Sequence, residues 1–332
     1  MSDPNRPQRP RVIVTRRIAP HAEARLAELF EAVLSADDHA MSREELTAAM
    51  RDCDVLVPTL TDHLDADLIA SAGDRLKLIA NFGNGVDHID LKAARARGII
   101  VTNTPGVFTE DTADMAMALI LAVPRRLAEG EKLVRAGQWK GWTPSGMLGH
   151  RIGGKILGII GMGRIGRAVA RRAAAFGLSV HYHNRRRLPP EVEAELGASY
   201  HATPDTLLRI ADIVSIHCPH TEETHAMVNA ARIAAMKPSA YVINTARGEI
   251  IEEGALAKAL AAGRLAGAGL DVYSHGANID PQLLALDNVV LLPHMGSATF
   301  EGREASGERV IANIKAWSDG HRPPDQVLEG WV

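Results

Sequence analysis

Residues 156–166 read Ile-Leu-Gly-Ile-Ile-Gly-Met-Gly-Arg-Ile-Gly. An apolar β-branched run enters G-x-G-x-x-G without a break, and Arg167–Phe176 continues at helical spacing. Few folds accommodate that junction. Gly161 permits a tight turn, Gly163 lets the backbone approach a pyrophosphate, and Gly166 lets helix and strand pack closely. The helix start, with Arg164 and Ile165, then offers unpaired N–H groups to phosphate oxygens. The spacing predicts a strand over Ile156–Ile160 and a helix whose buried face carries Ile165, Val169, Ala173 and Phe176. Gly177 suits the helix end, and a dinucleotide site lies at the junction.

The end of the next strand selects the dinucleotide. Sites for NAD usually place Asp or Glu there, about 20 residues on, to accept from the ribose hydroxyls. Here Ser179–Asn184 runs into Arg185-Arg186-Arg187, and no carboxylate is present. An acid would repel a 2′-phosphate, whereas Arg offers it charge-assisted, often bidentate hydrogen bonds. NADP is therefore the expected cofactor, with NAD as the second option. Asn184, Arg185 and Arg186 are assigned to it, and Arg187 to the surface.

The same rhythm of short strands and amphipathic helices fills the chain, which predicts βαβ units and parallel sheets in both halves. Early strands are expected at Val12–Thr15, Asp54–Pro58, Leu76–Ala80 and Ile99–Thr102, with helices between them. Later strands are expected at Ile213–His217, Ala240–Asn244, Ala266–Asp271 and Val289–Leu292, and a last helix at about Ala298–Trp317. A long helix starts at Thr109, its expected N-cap, and buries Met115, Ala118, Leu119, Ala122 and Val123. Pro124 ends or kinks it. Gly137–Arg151 reads as an irregular arm, with Trp139 and Trp142 assigned to packing or subunit contact.

Composition excludes several classes. The 332 residues carry 37 Lys+Arg and 40 Asp+Glu, too balanced for a general nucleic-acid binder. The apolar runs fall far short of the ~20 residues a membrane span needs. The start, MSDPNRPQRP, is polar and reads as a frayed tail, not as a secretory signal. Two cysteines, Cys53 and Cys218, form neither a disulfide framework nor a metal cluster. A cytoplasmic protein with reduced thiols and no metal is expected.

Further motifs follow in order: Asn84-Gly85-Val-Asp87-His88-Ile-Asp90, Thr104-Pro105-Gly-Val-Phe-Thr-Glu-Asp-Thr112, Asn244-Thr-Ala-Arg247-Gly248, Gly269-Leu-Asp271-Val, and Pro293-His294-Met-Gly-Ser-Ala-Thr299. With the glycine motif, this series resembles the D-isomer-specific 2-hydroxyacid dehydrogenases from about Arg11 to Val310. The Asn184-Arg185-Arg186 strand end is most similar to the glyoxylate/hydroxypyruvate reductases.

The resemblance implies two doubly wound α/β domains. Residues 1–104 and 296–332 would form a flavodoxin-like substrate-binding domain, and 105–295 an inserted NAD(P)-binding Rossmann domain, with the site in the cleft. It implies a small 2-keto or 2-hydroxy acid as substrate and a homodimer. Arg247 would grip the carboxylate, joined by backbone N–H groups of Asn84 and Gly85. His294 would act as general acid and base, because imidazole titrates near working pH. Thr112, Cys218, Pro219, Thr224, Thr245, Ala246, Asp271, His294 and Gly296 would line the cofactor. As a small hydrophobe Cys218 needs no further role.

One position departs from the family. A Glu usually follows the Asp of Leu-Asp-Val by about five residues and orients the catalytic His; here the position falls on Gly276 or His275. Asp280 is the candidate replacement. Two other readings accompany the reductase: a nucleotide-binding regulatory protein of the same fold with weak turnover, and a formate dehydrogenase. Formate dehydrogenases of this superfamily carry Gln at this position, and this chain does not.

Overall fold

The computed structural model describes residues 9–328; the segment MSDPNRPQ, read above as a frayed tail, lies outside them. The chain divides into two compact units: Thr109–Ser297, and the described residues up to Phe108 together with those from Ala298 on.

The first unit contains five parallel strands, β1 (Arg11–Val14), β2 (Glu31–Val33), β3 (Val55–Val57), β4 (Leu78–Ala80) and β5 (Ile100–Thr102), in the order β2-β1-β3-β4-β5. Helices α1 (Pro20–Leu29), α2 (Arg43–Asp52), α3 (Ala66–Ala70) and α4 (Leu91–Ala96) alternate with them. Strand side chains alternate between the two faces of a sheet. Val12, Val14, Val55 and Val57 enter one buried cluster, and Ile13 and Leu56 enter another. Both faces of this sheet are therefore covered, as parallel strands require. The helix starts are fixed locally: Ser42 and Glu45 form a reciprocal capping box on α2, and Asp65 and Asp90 cap α3 and α4.

The second unit begins with α5 (Thr109–Ala122) and α6 (Leu127–Arg135). Seven parallel strands follow: β6 (Ile156–Ile160), β7 (Ser179–His183), β8 (Ser199–Tyr200), β9 (Ile213–Ile216), β10 (Tyr241–Asn244), β11 (Gly267–Leu270) and β12 (Val289–Leu291). Their order is β12-β11-β10-β9-β6-β7-β8. Between them run α7 (Arg164–Ala175), α8 (Pro190–Leu196), α9 (Pro204–Ile210), α10 (Ala230–Ala235), α11 (Glu253–Ala261) and α12 (Pro281–Leu284). The last helix, α13 (Phe300–Ser318), returns to the first unit, where Val310, Ile311 and Ile314 join the cluster of Val12 and Val14. The expected fold class, two parallel-sheet α/β domains, is what the chain adopts.

Several details differ from expectation. In α5 the buried residues are Thr112, Ala113, Ala116, Met117, Leu119, Ile120 and, just beyond it, Val123; Ala118 faces solvent, and Met115 and Ala122 are half-buried. Met115–Val123 is apolar on every face, so spacing alone cannot select one. The rotation that packing against α7, β10 and β11 selects also lets Arg172 of α7 pair with Glu110 at 2.7 Å and Asp114 at 2.6 Å. Thr109 lies inside α5 rather than capping it. Phe176 closes α7 half-exposed instead of buried, because the helix packs through Gly166, Val169, Ala170 and Ala173. Helix α6 and the edge strands β2 and β8 had no sequence signal of their own. Trp139 and Trp142 are 58% and 81% exposed, so they do not pack within the chain.

Gly248 shows how tightly the β10 and β11 connections cross. A Cβ there would lie 2.0 Å from the Tyr273 carbonyl carbon and 2.2 Å from the Ser274 nitrogen. Both are backbone atoms and cannot rotate away. Gly248→Ala is expected to destabilise the second unit by about 2 kcal/mol or more, read as a lowered Tm. An unchanged Tm would show that this crossing has slack.

Candidate active site

One row of Cα partners ends six strands together. His183 pairs with Ile160, Ile160 with Ile216, Ile216 with Asn244, Asn244 with Leu270, and Leu270 with Leu291. The chain leaves each strand just beyond that row, so Asn184, Gly161, His217, Thr245 and Asp271 emerge along one edge, with His294 three residues past β12. The strand order reverses between β6 and β9, which is where open α/β sheets bind ligands.

The glycine loop fills the β6 end. Gly161 has φ +98°, and a Cβ on it would sit 2.4 Å from the Cys218 nitrogen. A Cβ on Gly166 would meet the Gly161 carbonyl oxygen at 2.3 Å, so α7 lies directly against the turn. Nothing lies within 4 Å of the Cβ position of Gly163, and the start of α7, with Arg164 and Ile165, carries no side-chain cap. The open space and the uncapped N–H groups coincide, the arrangement an anion needs.

Asn184 faces the loop. Its Oδ1 accepts from the Met162 N–H at 2.6 Å, fastening the β7 end to the glycine turn. Arg185 and Arg186 are exposed. Arg187, assigned to the surface, has a 62% exposed side chain, yet its guanidinium binds Glu193 through Nε and Nη2 and lies over the Tyr200 ring. After β9, Cys218 is half-buried and its thiol is pushed up to about 12 by burial, which keeps it protonated and inert. Thr224 closes the following turn by donating to the Pro219 carbonyl at 2.7 Å and accepting from the Thr221 N–H. The Glu223 carboxyl is lowered, first by the Thr221 hydroxyl and least by the charge of Arg185.

At the β10 end, Asn244 is fully buried and shapes the next three residues. Its Oδ1 accepts from Ala246 N–H, and its Nδ2 donates to the Arg247 carbonyl at 2.8 Å. Arg247 is half-buried, with Nη1 on the Ala246 carbonyl. Thr245 Oγ1 is buried with no hydrogen-bond partner among the described residues.

At the β11 end, the buried Asp271 holds the His294 loop. Its Oδ1 and Oδ2 accept from the N–H groups of Met295 and Gly296, both at 2.7 Å. His294 is exposed and has φ +55°, a left-handed conformation uncommon for a residue other than glycine. Burial raises the Asp271 carboxyl, against the lowering by the two N–H groups and by the His294 charge. Thr112 lies close by: a Cβ on Gly296 would come 3.7 Å from its methyl group. This lock on the loop escaped sequence reasoning, which gave Asp271 to the cofactor alone. Gly276 sits in an exposed turn at φ +57°, His275 is exposed, and Asp280 caps α12 through Oδ1 on the Gln282 N–H.

In the first unit, Asn84 and Gly85 lie on the loop after β4. Buried Asn81 supports it: Nδ2 donates to the Gly83 and Gly85 carbonyls, so Oδ1 accepts and His88 Nε2 donates to it at 3.1 Å. The backbone N–H groups of Asn84 and Gly85 donate to no other described residue. Among the described residues no group of side chains suits a metal, and no helix is long and apolar enough to cross a membrane.

A dinucleotide fits the second unit's edge. Gly163 leaves room for a pyrophosphate, the α7 N-terminus faces it, and the orphaned Thr245 hydroxyl awaits a partner. Residues 117–296, more than half of the chain, match the family described as D-isomer specific 2-hydroxyacid dehydrogenase, NAD binding domain. The chain is 45% identical over 323 residues to a glyoxylate reductase of Thermococcus onnurineus, covering 96% of each protein. A crystal structure of an NADPH-dependent glyoxylate/hydroxypyruvate reductase from Sinorhizobium meliloti, in complex with NADP and malonate, superposes with a TM-score of 0.87 at 38% identity, covering 97% of this chain and 98% of that one. A glyoxylate reductase from Paecilomyes thermophila gives 0.87 at 33% identity, over 98% and 99%. The chain belongs to the D-isomer-specific 2-hydroxyacid dehydrogenase family, and is an NAD(P)-dependent enzyme of it. Within that family it is glyoxylate-reductase-like.

His217, at the β9 end, gives a pH test of this edge. Burial pushes its imidazole from the ordinary 6.5 to about 3, and Ser215 Oγ lies 2.7 Å from Nε2. The native state therefore resists a proton that the unfolded chain accepts. Stability should fall as pH drops from 6.5 toward 3. In urea titrations across that window, His217→Asn should lose less stability than the parent; equal slopes would remove His217 as the cause.

Proposed function

We propose that this enzyme reduces a small 2-keto acid, glyoxylate or hydroxypyruvate, to the D-2-hydroxy acid with NADPH. The observation that carries the reading is the convergence of Arg247, Asp271 and His294 at the ends of the adjacent strands β10, β11 and β12. In this reading Thr109–Ser297 is the nucleotide-binding domain and the remainder is the substrate-binding domain. The sequence relatives named glyoxylate reductase support the substrate class.

The chemistry follows from the residue types. A planar, permanently charged guanidinium suits a carboxylate, so Arg247 anchors the acid, and the N–H groups of Asn84 and Gly85 join it. The reduced nicotinamide supplies the hydride when bound. His294, as imidazolium, donates its proton to the carbonyl oxygen, and as neutral imidazole takes it back on oxidation. Arg185 and Arg186, with Asn184, take the 2′-phosphate.

The assembly proposed is a homodimer. Helix α6 buries no side chain, and Leu127, Val134, Trp139, Trp142 and Leu148 are 55–81% exposed. A second copy covers this apolar stretch. The cytoplasm is the compartment that goes with this reading.

The primary experiment is a turnover screen of glyoxylate, hydroxypyruvate, pyruvate and phenylpyruvate with NADPH and with NADH. Glyoxylate or hydroxypyruvate with NADPH should give the highest kcat/KM. Replacing His294 with Ala should lower kcat about 10²–10⁴-fold while NADPH still binds; unaltered turnover would take His294 out of the mechanism. Replacing Arg185 and Arg186 with Ala should raise the KM for NADPH and barely change that for NADH; equal weakening would defeat the phosphate assignment. Sedimentation of Val134→Asp/Trp142→Asp should show a monomer, and an unshifted species would place the contact elsewhere.

A further inference from the structure

Two exposed arginines bind a phosphate well only if the backbone beneath them is already held, because ordering it on binding costs affinity. In this chain the corner between β7 and α8 is held by side chains that the proposed reaction does not use. Tyr182 is fully buried. Its hydroxyl donates to Glu193 Oε1 at 2.6 Å and accepts from the Leu188 N–H at 2.9 Å. Glu193, on α8, also accepts from Arg187 Nε at 2.9 Å and Nη2 at 2.7 Å. The Arg187 guanidinium lies 5.5 Å from the ring centroid of Tyr200 on β8, and the Tyr200 hydroxyl donates to the Asn184 carbonyl at 3.4 Å.

The fastenings fall on Asn184, Arg187 and Leu188. The two residues between, Arg185 and Arg186, are left exposed. The carboxyl of Glu193 is held down to about 2, first by Arg187 and then by Tyr182, so it stays ionised at any working pH.

We infer that Tyr182 and Glu193 are positioning residues for cofactor choice: they lock the 184–188 corner so that Arg185 and Arg186 meet a 2′-phosphate, and they keep Arg187 as a strut rather than a third phosphate ligand. This rests on the NADPH reading above. It also gives a role to Arg187 beyond that of a surface charge.

The test is direct fluorescence titration of NADPH and NADH into four variants: Tyr182→Phe, Glu193→Gln, Arg187→Met, and the double Arg185→Ala/Arg186→Ala. Thermal melts run alongside. Arg187 is mostly exposed, so its variant keeps the fold even if the buried ones do not. The first three should each weaken NADPH about 3- to 10-fold and NADH by less than about twofold, the size expected for the net loss of one ordinary hydrogen bond. A purely structural role would lower Tm and leave the NADPH/NADH ratio unchanged, which overturns the inference. Tighter NADPH binding by Glu193→Gln would also overturn it, since a freed Arg187 would then be a ligand. If the double variant loses NADPH selectively while the other three keep the ratio, the inference falls and the NADPH reading stands. If the double variant weakens both cofactors equally or neither, the NADPH reading falls and takes the inference with it.

Discussion

The chemistry of the second unit depends on strand register. Six parallel strands end on one row of paired residues, from His183 through Ile160, Ile216, Asn244 and Leu270 to Leu291. A slip of one residue in any strand would turn its apolar side chains to the opposite face and move its candidate site residue off the edge. That slip is opposed by burial on both faces: Leu157 and Ile159 belong to one core cluster, and Ile160, Val214 and Ile216 to the other. Core packing and the geometry of the candidate site are thus specified by the same contacts.

Asp271 shows how such an edge holds a strained residue. A left-handed conformation costs a residue like His294 about 1–2 kcal/mol. Hydrogen bonds to a charged acceptor contribute about 1.5–3 kcal/mol each, and Asp271 makes two to the residues that follow. The two bonds hold the loop in this conformation, which leaves the imidazole exposed at a fixed place. Gly296 is tied to the same arrangement, since a Cβ there would lie 2.9 Å from Asp271 Oδ2.

Much of this was legible in the sequence, for physical reasons. Strands such as Ile156–Ile160 are short, β-branched and bounded by turn residues, so their limits are nearly those of the structure. The glycine motif declared its own geometry, because each glycine answers a separate steric demand. Other features are written in pairs of residues far apart. The rotation of α5 follows from its packing on α7, where Arg172 meets Glu110 and Asp114 about sixty positions earlier. The Asp271 lock joins residues 24 and 25 positions apart, and Gly248 is required by the Tyr273 backbone crossing it. Edge strand β8, two residues long, exists through pairing with His181 and Tyr182 rather than through any preference of its own.

The return of α13 to the first unit sets an order of assembly on the ribosome. Thr109–Ser297 is a continuous stretch and can close its sheet once it has emerged. The cluster that α1 and the earlier-made sheet build around Val12, Val14 and Leu26 stays incomplete until Val310, Ile311 and Ile314 arrive. The portion synthesised first is therefore completed last, after the nearly two hundred residues between have been made.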